Sequence, residues 1–142
     1  MQRSSTTSKF LLDTNVFIAA VKKGWTDTTE LILRLLSSQE YRIVGNNVLL
    51  AEYRKYAERL NARDFYEFLR LRMEMVNPTR EEVLRLLPYF PPSQMADAVH
   101  AATCLKTGAV LITNDRHFDR VAEEGLIEVW DISKAIRKIL RR

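Results

Sequence analysis

The stretch KFLLDTNVFIAA, residues 9–20, decides the class of fold. KFLLD is a short apolar run closed by Asp13, and continuous runs of this kind suit strands in a sheet covered on both faces. An acid is costly inside a buried strand but has a use at its carboxyl end, beside Thr14 and Asn15. NVFIAAVKKG then reads as a helix closed by Gly24, with Lys22 and Lys23 in the last turn, where cations suit the helix dipole.

The alternation continues along the chain. DTTELILRLLSS reads as a helix with Asp27 as its cap and Glu30 three residues on. YRIVG (41–45) is a second strand. NNVLLAEYRKYAERL and RDFYEFLRLRM are helices with apolar positions three and four apart, and MEMVNP is a third strand ended by Pro78. TREEVLRLL opens with Thr79 and Glu82 as a capping box and stops before Pro88. SQMADAVHAATCLKTG is a helix followed by Gly108, and AVLITND is the strongest strand. DRHFDRVAEE, LIEVWD and SKAIRKILRR complete the chain as a short helix, a strand and a basic helix. Strands separated by helices predict a parallel sheet, and in open sheets of that kind ligands sit beyond the carboxyl ends of the strands.

Length and composition narrow the reading. The 142 residues suit one domain over 1–142, with residues 1–8 as a loose tail. No apolar run approaches the ~20 residues that cross a bilayer, so no membrane partner is expected. Cys104 is the only cysteine, which rules out an intramolecular disulfide and a cysteine zinc cluster and fits a reducing cytoplasm. Its apolar helical surroundings make it a packing residue. The net charge of +4 favours polyanions only weakly, because a solvated basic surface is the commoner reason for such a balance.

Four acids stand where acids are expensive. Asp13 and Asp115 end strands, and neighbouring strands would bring their carboxylates face to face. Asp97 interrupts the small-residue face of MADAVHAA, and Glu52 interrupts VLLAEY. Each has an ordinary alternative. Asp13 and Asp115 can cap the helices that follow, Glu52 can lie on a wet face with Arg54 and Lys55, and Asp97 can pair with a basic residue. Taken together they form a set that a hard divalent cation explains, with Thr14, Asn15, Thr113 and Asn114 as neutral oxygens and amides around it. His100, three residues after Asp97, is a buried or surface histidine or an outer partner of that face.

LLDTNVFIAA, LLAEY, MADAVHAATCLKTGAVLITND and DRHF, in this order over residues 10–130, resemble the PIN-domain ribonucleases, a family that includes the toxins of VapBC toxin–antitoxin pairs. The resemblance implies a three-layer α/β/α sandwich with a central parallel sheet of about five strands. It also implies an acid cluster of Asp13, Glu52, Asp97 and Asp115 holding Mg²⁺ or Mn²⁺. Thr14, Asn15 and Asn114 match supporting polar positions, and Asp119, a turn beyond Asp115, is an extra outer acid. LLPYFPPSQM departs from the pattern, being short and proline-rich where many toxins carry a longer helical stretch. The expected activity is endoribonuclease hydrolysis leaving a 5′-phosphate and a 3′-hydroxyl. The expected partners are RNA, a second copy of the chain and a small antitoxin with an Arg-bearing amphipathic segment. Tyr53, Tyr56, Phe65 and Phe68 mark the walls of its groove, and those same Arg- and Tyr-rich helices can instead contact RNA or serve as core.

Other readings lack their own requirements. A haloacid-dehalogenase-like phosphatase needs an aspartate two residues after the first, where Asn15 stands. A receiver domain needs one ending its middle strand, which YRIVGNN lacks. No phosphate-cradling glycine loop is present. The remaining alternatives are a housekeeping RNA-processing nuclease and a non-catalytic RNA-binding or assembly module of the same fold.

Overall fold

β1 (Ser8–Leu12) lies at the centre of a five-stranded parallel sheet in the computed structural model, which describes residues 7–141. The strand order is β3-β2-β1-β4-β5, with β2 at Tyr41–Gly45, β3 at Glu74–Met75, β4 at Val110–Ile112 and β5 at Val129–Trp130. Phe10 stands in register with Ile43 on one side and Val110 on the other, and Leu12 with Ile112. Phe10, Leu11 and Leu12 are all buried. Successive strand residues point to opposite faces, so three buried in a row require cover on both, which is the three-layer arrangement.

The chain leaves β1 towards β2 through α1 (Thr14–Lys22) and α2 (Asp27–Ser37). It returns from β3 to β4 through α5 (Arg80–Leu86) and α6 (Met95–Thr107). β1 and β4 are therefore neighbours from which the chain departs in opposite directions, and the crevice beyond their carboxyl ends is the switch point of the sheet. The Asp13 N–H donates to the Ile112 carbonyl at 3.0 Å, closing the pair at that end. α3 (Asn47–Arg59) is anchored over the same end. Its Tyr53 hydroxyl donates to the Leu12 carbonyl, and its ring stacks on Phe17 of α1 at 4.9 Å.

Several details differ from the sequence reading. Ser8 belongs to β1 and not to a tail, and residues 1–6 lie outside the described part. α2 is capped by Thr26 and not by Asp27. The Thr26 and Thr29 side chains each accept the other's backbone N–H, which leaves Asp27 in the first turn to pair with Arg141 at 2.6 Å. Thr79 and Glu82 do form the capping box of α5. DRHFDRVAEE begins as a 3₁₀ turn over Arg116–Phe118 before α7 (Asp119–Glu123). Tyr53 is fully buried and cannot wall a groove. Phe68 of α4 (Arg63–Arg70) is partly exposed and lines a 340 Å³ groove with Leu33, Leu36 and Leu140, beside α8 (Ile132–Ile139). Among the described residues no helix is long and apolar enough to cross a membrane.

Candidate functional site

Asp13 follows β1 directly and does two jobs. Its Oδ1 accepts the Thr14 N–H at 2.9 Å, capping α1, and its Oδ2 accepts the Thr113 hydroxyl at 2.7 Å. Capping and membership of an acid cluster are thus compatible at this residue. Burial pushes its pKa up, against the Thr113 hydrogen bond and the nearby His100. Asp115, just past β4, repeats the pattern, with its Oδ1 accepting the His117 N–H at 2.9 Å to cap the 3₁₀ turn.

Glu52 faces inward from α3, not towards the solvated side. Its Oε1 accepts the Thr14 hydroxyl at 2.5 Å and lies 3.1 Å from Nε2 of His100. Burial raises its pKa, but the hydrogen bonds from His100 and Thr14, with the charges of His100 and Lys55, outweigh that effect and hold the carboxyl below its ordinary value. His100, fully buried on α6, therefore serves Glu52 and not the Asp97 face.

Asp97 sits in the first turn of α6 with most of its side chain buried. Burial, and then repulsion from Asp13 and Asp115, push its pKa up to about 6. Its basic neighbour is His117, whose Nδ1 lies 3.2 Å from Asp97 Oδ2 and 3.1 Å from Asp115 Oδ1. The four acids fall into two adjoining groups. Ligand atoms of Asp13, Glu52 and His100 lie within 4.8 Å of one another, as do those of Asp97, Asp115 and His117.

The supporting residues divide. Thr14 touches both Asp13 and Glu52. Asn15 donates to the Thr113 hydroxyl at 3.4 Å, while its Oδ1 is buried with no hydrogen-bond partner. Asn114 is exposed and accepts the Ile132 N–H at 3.0 Å, pinning the start of α8. Asp119 is exposed and pairs with Arg116 at 3.2 Å. These two line a shallow cleft of about 390 Å³ on the outer side of Asp115. Sequence reasoning missed His117 as a partner of two acids, and Asn46, which follows β2 as Asp13 follows β1. A polar residue at a third strand end was the available signal for Asn46.

The donor set suits a hard divalent cation such as Mg²⁺ or Mn²⁺. It consists mainly of carboxylate oxygens, with Asp97 raised in pKa by burial and then by its two acidic neighbours, and a buried amide oxygen of Asn15 nearby lacks a partner. Asp13, Glu52, Asp97 and Asp115 are the residues that would hold it.

A family model described as the PIN domain matches residues 10–124. Among solved structures, the chain is similar to VapBC2 from Rickettsia felis, determined bound to a DNA fragment from its promoter (16% identity, TM-score 0.62, covering 87% of this chain and 98% of that one). It is also similar to VapBC-1 from nontypeable Haemophilus influenzae (22%, 0.62, 87% and 97%). PAE2754 from Pyrobaculum aerophilum is a third such structure (13%, 0.68, 98% and 100%). Among curated proteins no sequence matches. The match runs from β1 to the end of α7 and includes all four acids, and on that ground the chain belongs to the PIN-domain family.

Proposed function

We propose that this protein is a Mg²⁺- or Mn²⁺-dependent endoribonuclease and the toxin of a toxin–antitoxin pair. The observation that carries the reading is the gathering of Asp13, Glu52, Asp97 and Asp115 at the β1/β4 switch point, with Asp97 crowded by two other carboxylates. When bound there, a divalent cation supplies positive charge to acidify a water and to stabilise charge developing on a phosphodiester. The chain's own residues do the positioning. Thr113 and the Thr14 N–H hold Asp13 by its two oxygens, while the Thr14 hydroxyl and His100 hold Glu52. His117 offers a donor between Asp97 and Asp115.

RNA as substrate is supported by the surface next to the acids. Glu52, Lys55, Tyr56 and Arg59 are spaced to share one stripe of α3. Lys55 and Arg59 lie 5.6 and 5.4 Å from the centre of the Tyr56 ring. Cations flanking an aromatic suit a single-stranded polyanion whose bases can stack. A small antitoxin and a second copy of the chain are the proposed protein partners, in keeping with the likeness to VapBC pairs. The groove beside Phe68, Leu33 and Leu140 offers the antitoxin an apolar seat.

The test is cleavage of a short fluorescent RNA by the purified chain. Mn²⁺ should support it, EDTA should stop it, and the products should carry a 5′-phosphate. RNA binding without cleavage would move the protein to the non-catalytic reading. Cleavage with no toxicity on expression and no co-purifying small protein would make it a housekeeping nuclease.

A further inference from the structure

Asn46, His100 and Thr103 are fully buried polar side chains clustered behind Glu52. Such a group is costly unless every donor and acceptor is matched. Asn46 caps α3, and its Oδ1 accepts the Leu49 N–H at 2.8 Å. A backbone N–H only donates, so this contact settles which end of the amide is oxygen. The Asn46 NH₂ then faces Nδ1 of His100 at 3.2 Å and the Thr103 hydroxyl oxygen at 3.0 Å, using both of its hydrogens. An amide NH₂ is a donor, so Nδ1 must present a lone pair. The neutral imidazole consequently carries its hydrogen on Nε2, which lies 3.1 Å from Glu52 Oε1. Protonating both nitrogens would set N–H against N–H in a buried site.

We infer that Asn46 and His100 form a positioning relay that orients Glu52 and keeps His100 itself from binding the cation. His100 stands at ligand distance from Asp13 and Glu52, yet its Nε2 has no lone pair to offer in this tautomer. The Thr14 hydroxyl and the His100 N–H both end on Oε1 of Glu52, so Oε2 is the oxygen that would be left to hold a cation. The inference rests on the metal-dependent reading of the site. Hydrogen-bonded outer partners of this kind fix the direction of a ligand and raise its affinity for metal.

Long-range ¹H–¹⁵N correlation spectra of the metal-free protein read the tautomer directly. With only two histidines, loss of one signal set in His100→Gln assigns the other. The expected result is a neutral His100 with its hydrogen on Nε2, unchanged on adding Mg²⁺. Asn46→Asp, which puts an acceptor opposite Nδ1, should move the hydrogen to Nδ1 or protonate the ring. Calorimetric titration with Mn²⁺ should show His100→Gln close to wild type, since glutamine can still accept from Asn46 and donate to Glu52. His100→Leu should lose roughly 10- to 100-fold in affinity, with circular dichroism verifying its fold. An Nδ1–H tautomer in the wild type, a Mg²⁺-induced shift of Nε2 typical of coordination, or wild-type affinity in a folded His100→Leu would overturn the relay. A wild-type chain that binds no divalent cation would sink the nuclease reading and the cation role of the relay with it. The tautomer would still decide whether Asn46 sets the ring.

Discussion

At Asp97, a carboxyl with a pKa of about 6 is folded into a chain whose unfolded form titrates near 3.8. Between those values the folded state holds a proton that the unfolded state has released, so metal-free stability falls as pH rises through about 6. Asp97→Asn should remove that slope. Without metal, the variant is expected to gain on the order of 2 kcal/mol over wild type at pH 8 and almost nothing at pH 4, while losing cleavage. Urea unfolding at both pH values checks it, and parallel pH dependences in variant and wild type would contradict it. Glu52 works in the opposite direction. Its lowered pKa contributes stability that is present above its unfolded value near 4.5 and lost as pH falls through the lower folded one. Tyr53→Phe tests a neighbour of the site. The ring can keep its stacking on Phe17, but the Leu12 carbonyl loses its hydroxyl partner, at an expected cost of about 1 to 2 kcal/mol in chemical denaturation.

Among the helices, α2 gives the sharpest contrast between two plausible caps. Thr26 and Thr29 exchange hydrogen bonds across the first turn, whereas Asp27 reaches an exposed Arg141. Thr26→Ala should cost about 1 kcal/mol, as capping threonines do. Asp27→Ala breaks only a solvated ion pair and should cost less, roughly 0.5 kcal/mol. Denaturant midpoints of the two variants decide it, and the reverse order would return the cap to Asp27. The contrast at α5 lies in legibility. Thr79 and Glu82 are a box both in the sequence and in the fold, because threonine and glutamate three apart leave the first turn one obvious pairing. In WTDTTE several hydroxyls and acids compete, and spacing alone does not select among them.

For the whole molecule, a cation bound in the acid cluster would link binding to folding. A ligand at a hundred times its Kd stabilises the folded state by about 2.7 kcal/mol. Mn²⁺ should therefore raise the melting temperature at pH 8. At pH 5 the rise should be smaller, because Asp97 is then largely protonated and the cation must displace its proton. Ca²⁺ should stabilise the fold as well but support little turnover, since its larger, looser shell aims water poorly. Differential scanning fluorimetry beside RNA cleavage separates the two effects. Equal turnover with Ca²⁺, Mg²⁺ and Mn²⁺ would assign the cation a structural role.

The sequence by itself determined the alternation of strands and helices and the placing of Asp13 and Asp115 at strand ends. These are local properties. KFLL lacks polar alternation because both faces of β1 are covered, and the buried Asp13 at its end stands where the strand gives way to α1. The neighbouring of β1 and β4, the condition for Asp13 and Asp115 to face each other, is realised as the pairing of Leu12 with Ile112. Tertiary structure alone decided which polar side chains meet. Asp119 has the same helical spacing from Asp115 as an inward partner would have, yet it turns out to Arg116. Asn46 meets His100 across 54 residues, His100 meets Glu52 across 48, and His117 meets Asp97 across 20. Hydrogen bonds act over about 3 Å, so such pairs depend on sheet order, on strand register and on the helix turn facing the crevice. Periodicity in the chain records that a face is buried, and only the closure of the sheet says against what.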